Sequence, residues 1–138
     1  MAGWAGRKAA LLIGAALPGF REDDGIVNDN TGMDDALRAR GWNDSEIRRI
    51  YGRPLDPDAL RAFLQETGRL LAAKRTERLF LHYSGHGYRS SPPRPDDTVA
   101  MALAEAARTD PRYRMTYTQL FDLLPLPPFT RVTLLHDG

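Results

Sequence analysis

Leu79-Phe80-Leu81-His82-Tyr83-Ser84-Gly85-His86-Gly87 decides the fold. Leu79 to Ser84 is apolar nearly throughout and short, the pattern of a parallel strand covered on both faces by helices, and its place in the chain makes it central. It runs directly into a histidine held between two glycines. Gly85 and Gly87 permit backbone conformations closed to other residues, so the chain can turn sharply and present His86 in a cleft with its amides exposed. A histidine so placed can act as general base or acid near neutral pH. The plainer reading is a loop histidine without chemistry, but the two glycines and the end of a buried strand favour function.

Working outward, Lys8 to Gly14 reads as a first buried strand. Arg7-Lys8 followed by Ala9 to Leu17 also has the outline of a short secretory signal, but the run is of strand length, and Pro18, Gly19 and Gly25 suit a strand-to-helix connection. A helix is expected from about Asn28 to Arg40, with Asn28, Asp29 and Asn30 as capping side chains and Gly41 at its end. Ile47 to Tyr51 reads as a short strand. Asp56-Pro57 starts a second helix with a capping carboxylate and a proline in the first turn, and its apolar stripe through Leu60, Phe63, Leu64, Leu70 and Leu71 reaches about Lys74. Beyond the glycine turn, Tyr88 to Asp97 is a Pro- and Ser-rich surface loop, and Val99 to Ala104 fits a short strand or a helix. Thr116 or Thr118 caps a helix through Leu124, Pro125 to Pro128 breaks it, and Arg131 to His136 is the last strand.

Strands alternating with helices in this way specify an α/β fold, an open, mostly parallel sheet with helices on both faces. Functional residues in such sheets gather at the carboxyl ends of the strands. That rule brings together Asp29 after the first strand, Ser84 to Gly87 after the third, and Asp137-Gly138 after the last.

The 138 residues suffice for one domain, residues 1–138, and not for two. Nineteen basic residues against 18 acidic ones give a net charge of +1, and no dense basic run tracks a helix face. Nucleic acid is therefore not expected as a partner. No apolar run approaches the roughly 20 residues of a membrane span, so no membrane partner is expected either, and a cytoplasmic location is. The chain has no cysteine, which excludes disulfides, thiolate metal sites and thiol catalysis within these residues.

His82 stands four residues before His86, a spacing that can bind zinc on a helix face, but a strand followed by a glycine turn loses that geometry. His82 reads as a packed histidine, His136 as structural, and no metal site is expected. Asp29 taken alone is a helix-capping carboxylate. Asp137, at the mouth of an apolar strand, must be solvated or paired, and with Asp29 it makes a cleft suited to a guanidinium or ammonium group. A doubly wound nucleotide binder would need a glycine-rich loop after the first strand. Gly14-Ala15-Ala16-Leu17-Pro18-Gly19 lacks both phosphate-binding patterns.

On these residues the chain resembles the caspase-like cysteine peptidases, specifically the metacaspase and orthocaspase branch found in bacteria and lower eukaryotes (the peptidase C14 p20-like region). The resemblance runs through Lys8 to Gly14, Val27-Asn28-Asp29 with Met33 and Leu37, His82 to Gly87, and Val132 to Gly138, with Tyr83-Ser84-Gly85-His86-Gly87 its specific part. It implies a caspase-like three-layer fold, incomplete at the C-terminus, in which His86 is the catalytic base and Gly87 lends a backbone N–H to the oxyanion hole. Asp29, Ser84 and Asp137 then form a pocket for the arginine or lysine before the scissile bond of a peptide or protein substrate.

In that family the nucleophilic cysteine follows a strand ending in Asp-x, matched here by Asp137-Gly138. The next position would lie about 50 residues after His86, the caspase-type spacing. The expectation is thus the N-terminal part of a cysteine-type endopeptidase, inactive without its nucleophile and missing the C-terminal caspase segment. The alternative is a catalytically inactive caspase-like interaction module. Calcium is needed by many metacaspases, but Asp96, Asp97 and Asp110 form no recognisable ligand ladder, and no cofactor is expected from the sequence itself.

Overall fold

The computed structural model describes residues 7–15, 22–88 and 100–137. Strand β1 is Lys8–Ala15, helix α1 Glu22–Ala39, strand β2 Ile47–Arg53, helix α2 Pro57–Ala73 and strand β3 Arg78–Gly85. Three short strands follow, β4 Gly87–Tyr88, β5 Ala100–Ala102 and β6 Arg114–Met115, then helix α3 Tyr117–Leu123 and strand β7 Arg131–Asp137.

The main sheet has the order β2-β1-β3-β7, and each pair is parallel. Parallel strands covered on both sides read as unbroken apolar runs, and β1 is buried along nearly its whole length. Side chains alternate between two layers. Leu11 and Ile13 of β1 and Leu79, Leu81 and Tyr83 of β3 face Leu60, Leu64 and Leu71 of α2, with Leu120 and Leu124 from α3 and its end. On the other face Ala10 and Leu12 pack with Leu37 of α1 and Ile47, flanked by Met33, Trp42, Tyr51 and Phe80. The expected three-layer α/β arrangement is therefore present, with β1 and β3 at its centre.

Helix α2 starts as its sequence dictates. Asp56 accepts a hydrogen bond from the Ala59 N–H at 2.9 Å, and Pro57 occupies the first turn. Thr116, of the two candidates, caps α3: its hydroxyl accepts from the Gln119 N–H at 3.1 Å, and Gln119 Oε1 accepts from the Thr116 N–H at 2.9 Å.

Helix α1 corrects the sequence reading. It begins at Glu22, so Gly25 lies within it and Asn28, Asp29 and Asn30 are interior residues rather than caps. On its inner side Asp34, almost fully buried, accepts from Arg49 Nη2 at 2.8 Å, Arg38 Nε at 3.2 Å and the Tyr51 hydroxyl at 3.0 Å, with a further contact from Arg49 Nε. This network ties α1 to β2. The Arg49 guanidinium holds the Asp34 carboxyl below its usual range against the opposing effect of burial.

Strands β4, β5 and β6 form a separate antiparallel sheet that the sequence reading did not foresee as a unit. Val99 to Ala104, left open between strand and helix, contains β5. The proline-rich loop and the connection after β1 lie outside the described residues, apart from Tyr88. Strand β7 is an edge of the main sheet, and Val132, Leu134 and Leu135 are 38%, 42% and 43% exposed on it.

Candidate functional site

The site is built at the carboxyl ends of β1, β3 and β7. Parallel register aligns Gly14 with Ser84 and Ser84 with Asp137, so three adjacent strands end in one row. Helix α1 docks against this row. A Cβ on Gly14 would collide with Asn30 Nδ2, so only glycine lets the fully buried Asn30 seat there. The preceding residue on the helix, Asp29, is exposed, and its Oδ2 accepts a hydrogen bond from the buried Ser84 hydroxyl at 3.3 Å. Asp29 and Ser84, 55 positions apart in sequence, are thus joined.

His86 is the single residue between β3 and β4, half-buried, at the junction of the two sheets. Its carbonyl accepts from the Tyr83 hydroxyl at 2.7 Å and from the Ala102 N–H at 2.9 Å. One donor comes from the main sheet and the other from the small one. Gly87 is exposed and opens β4 opposite Met101.

Gly85 has a different reason from the one the sequence suggested. Its backbone is not in the left-handed region; instead a Cβ there would meet Tyr83 Oη at 2.5 Å. Glycine is required for close approach, and the tyrosine fills the space. Tyr83 is fully buried, and burial pushes its hydroxyl well above the usual phenol range, so it remains a neutral donor to His86.

His82 is 2% exposed and its ring stacks with Phe80, centroids 6.4 Å apart. His136 belongs to the opposite face of the sheet: its ring is 5.2 Å from Tyr83 and 5.6 Å from Tyr117, whose hydroxyl contacts His136 Nδ1. Burial pushes the Tyr117 hydroxyl up to about 12. Among the described residues no group of three or more His, Cys, Asp or Glu is arranged to hold a metal ion. Asp110 is engaged by Arg112, accepting from its Nη2 at 2.9 Å and its backbone N–H at 3.0 Å, while Asp96 and Asp97 lie outside the described residues. No described helix is long and apolar enough to cross a membrane.

The missed contributors are Gly14, Asn30 and the Tyr83 hydroxyl. Gly14 carried a signal, as a glycine ending an apolar strand; Asn30 and Tyr83 carried none, because their roles depend on partners distant in space or hidden in a turn.

This geometry defines a parallel α/β protein with polar residues gathered where three strands end. Neither a family model nor a curated protein matches the chain.

Proposed function

We propose that the chain is the amino-terminal part of a caspase-like cysteine endopeptidase that cleaves after arginine or lysine. The observation that carries this reading is the Ser84 hydroxyl on the Asp29 carboxylate at 3.3 Å, with Asp137 in register opposite Ser84, two residues before His86. A buried hydroxyl and two carboxylate-bearing positions in one row of strand ends suit a guanidinium or ammonium group. His86, fixed through its carbonyl, serves as base to a cysteine thiolate supplied from outside these residues. The thiolate attacks the peptide carbonyl, the Gly87 N–H helps hold the oxyanion, and water hydrolyses the acyl-enzyme. The acyl transfer itself needs no cofactor, and calcium is an arm of the assay.

The absence of cysteine from all 138 residues favours a second reading, a caspase-like module that binds partners without cleaving them. One comparison separates the two. The gene product read beyond Gly138 is assayed on arginine and lysine peptides, with and without calcium, beside His86→Ala. Cleavage abolished by His86→Ala supports the peptidase; cleavage unaffected by it rejects His86 as base, and no cleavage under any condition leaves the binding module. On the present chain, a peptide ending in arginine should perturb the resonances of Asp29 and Ser84, and Asp29→Asn should remove that response.

A further inference from the structure

At the opposite end of the sheet, about 20 Å from Ser84 by the rise of an extended strand, a cavity of about 630 Å3 is lined by Arg7, Arg75, Glu77, Arg78, Phe129 and Arg131. Four guanidinium groups face one carboxylate. That carboxylate is shared, since Glu77 Oε1 lies 3.9 Å from Arg7 Nη1. Among the described residues no ion pair is made by Arg75, Arg78 or Arg131.

Register makes the arrangement costly. Lys8, Arg78 and Arg131 stand directly opposite one another on β1, β3 and β7, and like charges in facing positions destabilise a sheet. Lys8 is answered by Glu46 at 3.2 Å, which leaves Arg78 and Arg131 as the facing cations. Arg75 adds a second cost. It holds a φ of 53° just past the end of α2, a position that favours glycine, so a long cationic side chain is kept where the backbone would be easier without one.

The backbone beneath the cations is firmly tied. The Arg7 carbonyl accepts from the Glu77 N–H at 2.8 Å, the Arg131 N–H donates to the Glu77 carbonyl at 2.8 Å, and the Thr130 hydroxyl donates to the buried Thr76 carbonyl at 2.6 Å. Phe129, 48% exposed, supplies a flat apolar wall. The geometry points to a binding site for a small polyphosphate carrying a planar ring, a nucleoside di- or triphosphate. Arginine forks match phosphate oxygens in pairs, the ring lies on Phe129, and the volume is that of a small-molecule pocket. The site shares no residue with the strand ends around His86 and does not depend on the function proposed for them.

The test titrates the 138-residue chain with a fluorescent ATP analogue and competes it with ATP, inorganic triphosphate and a glutamate-rich peptide. ATP should compete best, triphosphate more weakly and the peptide least. Arg78→Gln with Arg131→Gln, both exposed positions whose substitution is checked for fold by circular dichroism, should weaken ATP at least about tenfold through loss of the paired phosphate contacts. Phe129→Ala should weaken ATP while leaving triphosphate unchanged. No competition by ATP, equal binding to the doubly substituted chain, or a preference for the glutamate-rich peptide would each overturn the assignment.

Discussion

Placing a methyl group on Gly85 tests how the structure holds its candidate base. The added carbon would lie 2.5 Å from Tyr83 Oη, 2.8 Å from Cζ and 3.3 Å from Cε1. The hydroxyl must retreat by close to an ångström to reach ordinary contact. It has no exposed direction in which to go, because Tyr83 is fully buried with the His136 ring 5.2 Å away. Overpacking of this kind costs about 1–3 kcal/mol. The displaced hydroxyl also loses its 2.7 Å bond to the His86 carbonyl, worth about 1 kcal/mol because the Ala102 N–H still satisfies that oxygen. Gly85→Ala should therefore lower unfolding free energy by about 2–4 kcal/mol in urea titrations, and shift the His86 imidazole resonances. Tyr83→Phe alone should cost about 1 kcal/mol. Because phenylalanine deletes the atom nearest the new methyl, the double variant should be more stable than the sum of the singles implies, by at least about 1 kcal/mol. Additive effects, or a Gly85→Ala chain within about 0.5 kcal/mol of the parent with unmoved His86 signals, would refute the close-approach argument.

Asp34→Asn should cost about 2–3 kcal/mol at pH 7, less than a fully buried broken pair, because Arg49 keeps Asp44 at 2.9 Å. The folded-state pKa of Asp34 is depressed, so its contribution is present above the unfolded carboxyl value and is lost as pH falls through the folded one. The gap between parent and variant should thus close on acidification below about pH 4, and a constant gap would count against the network. Leu60→Ala, at a position with no exposure, should cost about 2–5 kcal/mol by denaturant melt; a smaller loss would mean that α2 is not seated on the sheet as described. The exposed apolar residues of edge strand β7 should drive self-association visible by sedimentation, reduced by Leu134→Lys with Leu135→Lys. A monomer at every concentration in both chains would contradict this.

The parts of the fold that were legible in sequence are those fixed by local chemistry. Lys8–Ala15 and Arg78–Gly85 are strands because a short apolar run admits little else, and Asp56-Pro57 can only begin a helix. Asn28 to Asn30 misled because short polar side chains usually leave helices. Here Asn30 is held by Gly14 and Asp29 by Ser84, contacts that exist only after β1 and β3 have assembled. The small sheet escaped notice for a related reason. Strands of two or three residues carry no period, and β6 is defined by its pairing with β5 rather than by its own composition. Within the site, the Asp29–Ser84 meeting followed from the strand-end rule, whereas the grip on the His86 carbonyl depended on a tyrosine hydroxyl that looked merely apolar in context.

The main sheet contains no hairpin, which bears on how the site comes into being. Strand β3 draws its neighbours from about 70 residues earlier and about 50 residues later in the chain. During synthesis β1, β2 and β3 can pair, and α1 can dock on Gly14, while β7 is still being made. The Ser84–Asp29 contact can form at that stage, but Asp137, the final described residue of β7, comes opposite Ser84 only when the last strand has zipped from Arg131 to its far end. The row of strand ends is therefore filled in two stages, and a nascent chain holds its histidine turn before it holds both acidic positions.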